Sequence, residues 1–235
     1  MTLSIADLRV ARVPVRDTGE PLVPLDGIAG APPGPGRLVR AGVAARLALA
    51  EQLLPSGVRL YLAEGYRPAA AQRAIIDHYG ARLRALHPTA TAEELHRLTS
   101  RYVAPLAVAP HVAGAAVDIT LADEAGRPLW MGSALDATPE ESRGACFFAA
   151  PGIGEAARAR RELLATALSA AGLVNYPTEW WHWSYGDRYW ACTTGASHAR
   201  YGPVEAAAAA RTTDPAPRGF RGAATGDVHE ATVVR

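Results

Sequence analysis

Residues 58–86, VRLYLAEGYRPAAAQRAIIDHYGARLRAL, carry the clearest local signals in the chain. Val58–Ala63 alternates in polarity and is bounded by glycines, which predicts a β-strand. Pro68 suits the first position of a helix, and the residues after it predict a helix over 69–86. A strand followed directly by a helix predicts a mixed fold in which helices pack on a sheet.

The rest of the chain extends this pattern. Helical spacing of apolar residues predicts helices over 37–54, 91–103 and 155–171, the second of which begins with a capping box formed by Thr91 and Glu94. β-Branched or aromatic runs predict strands at 115–121, 180–185 and 188–192. The sequence therefore predicts an α+β fold with a mostly antiparallel central sheet flanked by helices.

Composition divides the chain into three segments. Residues 1–36 are rich in Pro and Gly and predict an irregular N-terminal segment, whereas residues 37–202 contain the predicted helices and strands. Residues 203–235 are rich in Ala, Thr and Gly with few large apolar side chains, which predicts a disordered tail.

Charge and hydropathy exclude several classes of protein. The 235 residues include 24 basic and 23 acidic side chains, so the net charge of +1 argues against a nucleic-acid-binding or membrane-surface protein. The sequence contains no run of about 18 apolar residues, so no transmembrane helix is predicted. Charged residues interrupt the N-terminal stretch where a secretory signal would need an apolar core, and the two cysteines lie outside any CxxC motif. These features predict a cytoplasmic protein.

Two of the seven histidines lie in segments that suggest a site. His111 is in PHVAGAAVD, where a glycine turn leads into an apolar strand that carries Asp118. A carboxylate in such a strand costs free energy unless it is paired, hydrogen-bonded or bound to a metal. A buried aspartate that caps a turn or meets an arginine is the structural alternative.

The second segment is PTEWWHW, in which Glu179 and His182 are three residues apart among three tryptophans. A dry aromatic wall favours both a carboxylate with a perturbed pKa and a neutral imidazole ligand. The alternative is an aromatic strand in which Glu179 and His182 hydrogen-bond across the sheet.

Together these segments predict one zinc site per chain. His111, Asp118 and His182 supply two imidazoles and one carboxylate, and the fourth coordination position stays open for water as in catalytic zinc sites. Glu179 is then placed to act as the general base. Arg67, which follows a predicted strand in EGYRP, could polarise a carbonyl or hold a carboxylate, or it could simply steady the turn before Pro68.

Three segments in this order resemble the VanX-type D-alanyl-D-alanine dipeptidases, which are zinc D,D-peptidases related to D,D-carboxypeptidases and Hedgehog-like domains. They are LAEGYRPAAAQ (62–72), HVAGAAVDITLADEAGRPLWMGSALD (111–136) and NYPTEWWHWSYGDRYWA (175–191). The resemblance implies a Hedgehog/D,D-peptidase-like fold, a zinc peptidase domain over 37–202, and hydrolysis of D-alanyl-D-alanine or a similar short dipeptide. It also permits a homodimer.

The resemblance also implies residue roles. His111, Asp118 and His182 match the zinc ligands, Glu179 matches the base and Arg67 matches the oxyanion-stabilising residue. Asp136, at the end of MGSALD, matches the aspartate that receives the free amino group of the substrate, which favours a dipeptidase over a D,D-carboxypeptidase. The chain departs from the family at Ala109, where a serine is usual. A D,D-carboxypeptidase of peptidoglycan stem peptides and a non-catalytic Hedgehog-like zinc domain are the alternatives.

Overall fold

The computed structural model describes residues 3–204, and seven strands form two sheets within that range. The strands are β1 Leu22–Pro24, β2 Ala29–Gly30, β3 Leu38–Arg40, β4 Val58–Glu64, β5 Ala116–Asp123, β6 Val174–Asn175 and β7 His182–Ser184. The larger sheet has the order β2-β4-β5-β7-β6, and β1 pairs with β3 in a separate two-stranded sheet. The eight-residue strand β5 therefore lies at the centre of the fold.

Six α-helices lie in the same described range. They are α1 Leu8–Ala11, α2 Ala41–Gln52, α3 Ala69–Leu86, α4 Ala92–Thr99, α5 Glu155–Ala170 and α6 Arg188–Thr194. Helix α3 has the predicted bounds, and the predicted capping box at the start of α4 is confirmed, with Thr91 and Glu94 bonded reciprocally. Local signals were sufficient for α3 and for the start of α4, but α4 ends at Thr99 and does not continue to residue 103 as predicted.

The register of the large sheet places three polar residues in one row. Strand β4 runs antiparallel to β5 with Glu64 opposite Asp118, and β7 runs antiparallel to β5 with His182 opposite the same aspartate. Residues directly opposite each other in neighbouring strands point to the same face of a sheet. The pairing of three strands thus brings together side chains that are far apart in sequence.

The main core fixes this register. Val117, Ile119 and Leu121 of β5 are fully buried, and alternation along a strand directs Asp118 to the opposite face. The core side chains that pack with them from α2 and α5 include Val43, Leu47, Leu164 and Leu168. Burial of each large aliphatic side chain contributes about 1.5–3 kcal/mol. A one-residue slip of β5 would turn these side chains out of the main core and remove Asp118 from its row.

Three sequence-based expectations are corrected by the structure. The α+β class is confirmed, but the large sheet is mixed rather than mostly antiparallel, because β2 pairs in parallel with β4. The helix predicted from residue 37 begins at Ala41, since the residues just before it form β3 and pair with β1. Residues 188–192, predicted as a strand, form α6 instead. The Asp187 side chain accepts hydrogen bonds from the backbone N–H groups of Tyr189 and Trp190, and this cap outweighs the β-propensity of the aromatic residues.

The N-terminal segment contains regular secondary structure. The N-terminal segment, predicted to be irregular, contributes α1, β1 and β2, and the last of these extends the large sheet through its pairing with β4. Of the predicted tail, residues 205–235 lie outside the described part of the chain. None of the helices within residues 3–204 combines the length and hydropathy that a membrane span requires.

Candidate active site

Three different elements supply the predicted metal ligands. His111 begins a 3₁₀ turn, Asp118 lies on β5, and His182 is the first residue of β7. Gly114 ends the 3₁₀ turn with φ of 65°, and a Cβ atom at this position would clash with Cδ2 of Leu22. Glycine therefore allows the chain to reverse between His111 and the strand that carries Asp118.

The ligand atoms of these residues form a small triangle. His111 Nε2 lies 3.1 Å from His182 Nδ1 and 3.3 Å from Asp118 Oδ1, and the last two atoms are 3.1 Å apart. Nitrogen and oxygen ligands about 2.0–2.1 Å from a tetrahedral zinc ion are separated from each other by about 3.3 Å. All three side chains are buried. Two imidazoles and a carboxylate at this spacing fit the donor set of Zn²⁺.

Neighbouring groups orient the two imidazole rings. His111 Nδ1 lies 2.7 Å from the backbone carbonyl of Gly65, so its N–H donates there and Nε2 is left to face Asp118. His182 directs Nδ1 to the triangle, while its buried Nε2 has no hydrogen-bond partner among residues 3–204. His182 Nδ1 lies 3.1 Å from Asp118 Oδ1. The pKa of Asp118 lies well below the usual range, because the two histidines outweigh the effect of burial, which alone would raise it.

Glu179 lies beside this triangle. Its carboxyl group is buried, with Oε2 3.8 Å from His182 Nδ1. Burial raises the pKa of Glu179 well above its usual value, and repulsion from Asp118 and Asp136 raises it further. The Asn175 side chain donates to the backbone carbonyls of Glu179 (3.0 Å) and His182 (2.9 Å), which fixes the short turn between them.

Arg67 is held by two side chains on the other side of Asp118. Glu64 accepts two hydrogen bonds from its guanidinium, at 2.8 Å from Nε and 2.6 Å from Nη2, and Gln72 Oε1 accepts a third from Nη1 at 2.8 Å. Nη2 also lies 3.7 Å from Asp118 Oδ2. We call Glu64 and Gln72 the Arg67 clamp. Burial alone would lower the pKa of Arg67, but the charge of Glu64 outweighs it and raises that pKa, so the guanidinium keeps its charge.

Asp136 lies in a turn of the loop between β5 and α5. It adopts φ of 61°, a left-handed conformation that Asp tolerates better than most residues, and the residue as a whole is exposed. Desolvation of its carboxyl group by the surrounding protein atoms, followed by repulsion from Asp118 and Glu64, raises the pKa of Asp136 to about 7. The structure thus places Asp136 within electrostatic range of the triangle without a direct bond to it.

The three tryptophans build the wall behind the site. Trp180 and Trp181 pack edge to face with ring centroids 5.3 Å apart, and Trp183 Nε1 donates to the Trp180 carbonyl at 3.2 Å. Trp180 Nε1 donates to Ser133 Oγ at 2.9 Å, which ties the wall to the loop that carries Asp136. These contacts make the tryptophan segment rigid, and Glu179 and His182, which lie within it, are buried.

This geometry agrees with comparisons of the sequence with known proteins. The profile of a peptidase family described as D-ala-D-ala dipeptidase matches residues 23–199. The chain belongs to this family. A D-alanyl-D-alanine dipeptidase from Synechocystis sp. is 33% identical over 82% of this chain and 95% of its own length. A second D-alanyl-D-alanine dipeptidase, from Escherichia coli, is 32% identical over 54% of this chain and 55% of its own length.

Membership of the dipeptidase family makes this chain a metallopeptidase, and the chain contains a group of three side chains, His111, Asp118 and His182, that can hold a metal ion. Distances of 3.1–3.8 Å connect five of the predicted site residues, and charge interactions alone connect the sixth, Asp136, to them. Sequence reasoning did not single out Glu64, Gln72 or Asn175, whose contacts with the site depend on the tertiary structure. Glu64 and Gln72 lie in the segment LAEGYRPAAAQ together with Arg67, but the segment does not indicate which of its residues contact the arginine.

Proposed function

We propose that this chain hydrolyses free D-alanyl-D-alanine, or a closely similar short D-amino-acid dipeptide, with one zinc ion per chain. The observation that carries the proposal is the triangle of His111, Asp118 and His182 ligand atoms, 3.1–3.3 Å apart, in a chain of the dipeptidase family. These three residues would hold the metal and leave a fourth position open. Zn²⁺ bound there supplies Lewis acidity, which lowers the pKa of water towards about 7 and polarises a peptide carbonyl.

Glu179 moves the proton in the proposed reaction. Its carboxylate takes a proton from the attacking water as the new C–O bond forms, and it returns that proton to the amine nitrogen as the peptide C–N bond breaks. Two molecules of D-alanine result. The buried carboxyl group of Glu179 lies 3.8 Å from Nδ1 of His182, one of the atoms that would hold the metal, and this proximity supports its assignment as the base.

Arg67 and Asp136 bind the two charged regions of the reacting dipeptide. Arg67 stabilises the negative charge that develops on the carbonyl oxygen, and the clamp of Glu64 and Gln72 fixes its guanidinium in advance. Asp136, in the loop between β5 and α5, receives the substrate ammonium group. An N-acylated peptide has no such ammonium group, so it leaves Asp136 without a partner.

The substrate proposal also bears on the wider role of the protein. D-alanyl-D-alanine is a building block of peptidoglycan, so its hydrolysis would act on cell-wall dipeptides. The cytoplasmic location and the homodimer predicted above stay predictions.

Two substrates test the proposal directly. Free D-alanyl-D-alanine and its N-acetyl derivative are incubated with the protein, each with added zinc and each with a chelator. We expect the free dipeptide to be cleaved only when zinc is available, and the acetylated peptide to be cleaved at least about tenfold more slowly, since one charge-assisted contact is lost. Efficient cleavage of the acetylated peptide would instead assign the chain to the D,D-carboxypeptidases.

A variant separates the chemistry from the binding of metal. Glu179→Gln should lower kcat by about 10²–10⁴-fold while the bound zinc stays at one ion per chain. Glu124→Gln, in the exposed hairpin turn after β5, is the matched control and should retain the wild-type rate. A Glu179→Gln protein with a wild-type rate would contradict the role of the base.

A further inference from the structure

Tyr102 forms a contact with the substrate-binding loop that the mechanism above does not use. It lies in the turn that follows α4, and its hydroxyl donates a hydrogen bond to the backbone carbonyl of Asp136 at 2.6 Å. We propose that Tyr102 is the residue that positions Asp136 to receive the substrate ammonium group. This inference rests on the proposed function, because it assigns a purpose to a residue that holds Asp136.

Asp136 needs such support because its own turn is weakly closed. The backbone N–H of Ala137 lies 3.4 Å from the carbonyl of Ala134, which is long for a hydrogen bond, and Asp136 between them has φ of 61°. A residue other than glycine in the left-handed region persists only where its surroundings hold it. The Tyr102 hydroxyl bonds to the peptide group of Asp136 itself, so it acts at the strained position.

Tyr102 is well placed to act as a fixed support. Its ring packs against Tyr79 of α3 with centroids 5.1 Å apart, and it contacts both the main core and the small core between α3 and α4. Burial raises the pKa of the Tyr102 hydroxyl, and the carboxylates of Asp136 and Glu179 raise it further. The hydroxyl therefore keeps its proton and remains a donor throughout the pH range in which the enzyme would work.

The hydroxyl of Tyr79 offers a matched control within the same structure. It donates to Glu140 Oε2 at 2.8 Å, so it touches the same loop four residues beyond Asp136 without contacting the turn. Tyr102→Phe and Tyr79→Phe each remove one hydroxyl and preserve the packing of the two rings. A general loosening of the loop would affect both variants, whereas positioning of Asp136 would affect only the first.

The test is a double-mutant cycle measured on the zinc-loaded protein with free D-alanyl-D-alanine. Tyr102→Phe should raise KM about 3- to 10-fold, the loss expected for one hydrogen bond, with kcat within about twofold of wild type. The same substitution in an Asp136→Asn background should add little, because its effect acts through the carboxylate. Tyr79→Phe should leave KM unchanged, and bound zinc and the thermal midpoint Tm should be retained in all variants.

Several results would overturn the inference. An unchanged KM in Tyr102→Phe, an equal rise in Tyr79→Phe, or full additivity of Tyr102→Phe with Asp136→Asn each contradicts positioning through Asp136. A fall in kcat with KM unchanged would mean that Tyr102 acts on the reacting groups instead. If the wild-type enzyme cleaves the dipeptide, each of these results contradicts only the role of Tyr102 and leaves the proposed function standing. A wild-type enzyme that does not cleave it contradicts the proposed function, and the inference with it.

Discussion

Replacing Arg161 should destabilise the protein, because one guanidinium holds a whole loop. Arg161 projects from α5, is fully buried, and donates four hydrogen bonds to backbone carbonyls. The acceptors are the carbonyls of Met131 (2.6 Å), Ala145 (2.7 Å), Phe147 (2.7 Å) and Phe148 (3.1 Å). These residues flank the segment that carries Asp136, so Arg161 links the loop to the helix behind it.

The expected magnitude follows from these contacts. No carboxylate pairs with Arg161 in the described part of the chain, and burial, followed by repulsion from Arg158, lowers its pKa to about 10. Burying the charged guanidinium therefore costs free energy, and Arg161→Met would remove this cost. The same change removes these four hydrogen bonds, at a net loss of about 1 kcal/mol each. It leaves the carbonyls of Met131 and Ala145 unpaired, whereas those of Phe147 and Phe148 still accept from Ala150 and Arg158. With the relief subtracted, we expect a loss of about 2–3 kcal/mol in the free energy of unfolding.

Thermal denaturation followed by circular dichroism measures this loss. For a chain of this size, about 3 kcal/mol lowers Tm by roughly 6–12 °C. Arg160→Met is the control, since Arg160 is only partly buried and donates one bond, to the Trp130 carbonyl at 2.9 Å. It should cost less than about 1 kcal/mol. A Tm of Arg161→Met within about 2 °C of wild type would refute the assignment of Arg161 as the support of the loop.

Three further predictions follow from the site. Glu64→Gln removes the charge that fixes Arg67, so kcat should fall by about tenfold or more at unchanged zinc content, and a wild-type kcat would contradict the clamp. Gly114→Ala adds a clash with Leu22 to the strain of a left-handed residue and should cost on the order of 2 kcal/mol or more. Gly126→Ala, whose added Cβ meets nothing within 4 Å, adds the strain alone and should cost less; equal losses would refute the clash. Zinc should be released as the pH falls below about 6, because protons compete for the imidazoles; burial alone would lower the pKa of His111, but Asp118 outweighs it and raises that pKa. Retention of zinc at pH 4 in an equilibrium dialysis would contradict a histidine-bound metal.

Local signals predicted the elements whose caps and periodicity are written in adjacent residues. The helix after Pro68 and the capping box at Thr91 are such cases. The prediction of a strand over 188–192 was wrong. The aromatic residues there favour strands, but the hydrogen bonds from the Asp187 cap decide for a helix. The predicted start of α2 was also wrong, because residues 38–40 form a strand that pairs with β1. Local propensity loses to a cap or a partner strand in both cases.

The site divides in the same way. The types and order of His111, Asp118 and His182 pointed to a metal, and strand pairing then placed Asp118 opposite His182. The supports of the site could not be predicted, because they depend on contacts between distant segments. The Tyr102 hydroxyl donates to a backbone carbonyl 34 residues away in sequence. The Gln72 amide donates to the carbonyl of Ala104, 32 residues away. The sequence identified Gln72 only as a residue of a helix. No single-sequence pattern encodes such pairings.

The most direct test of the account is a zinc titration of the metal-free protein with free D-alanyl-D-alanine as substrate. The protein is stripped with a chelator, zinc is added in steps, and the release of D-alanine is measured at each step. We predict no turnover without metal, a linear rise with added zinc, and a plateau at one zinc ion per chain. Turnover by the stripped protein at the wild-type rate, or no turnover at any zinc concentration, would contradict a zinc dipeptidase built on His111, Asp118 and His182.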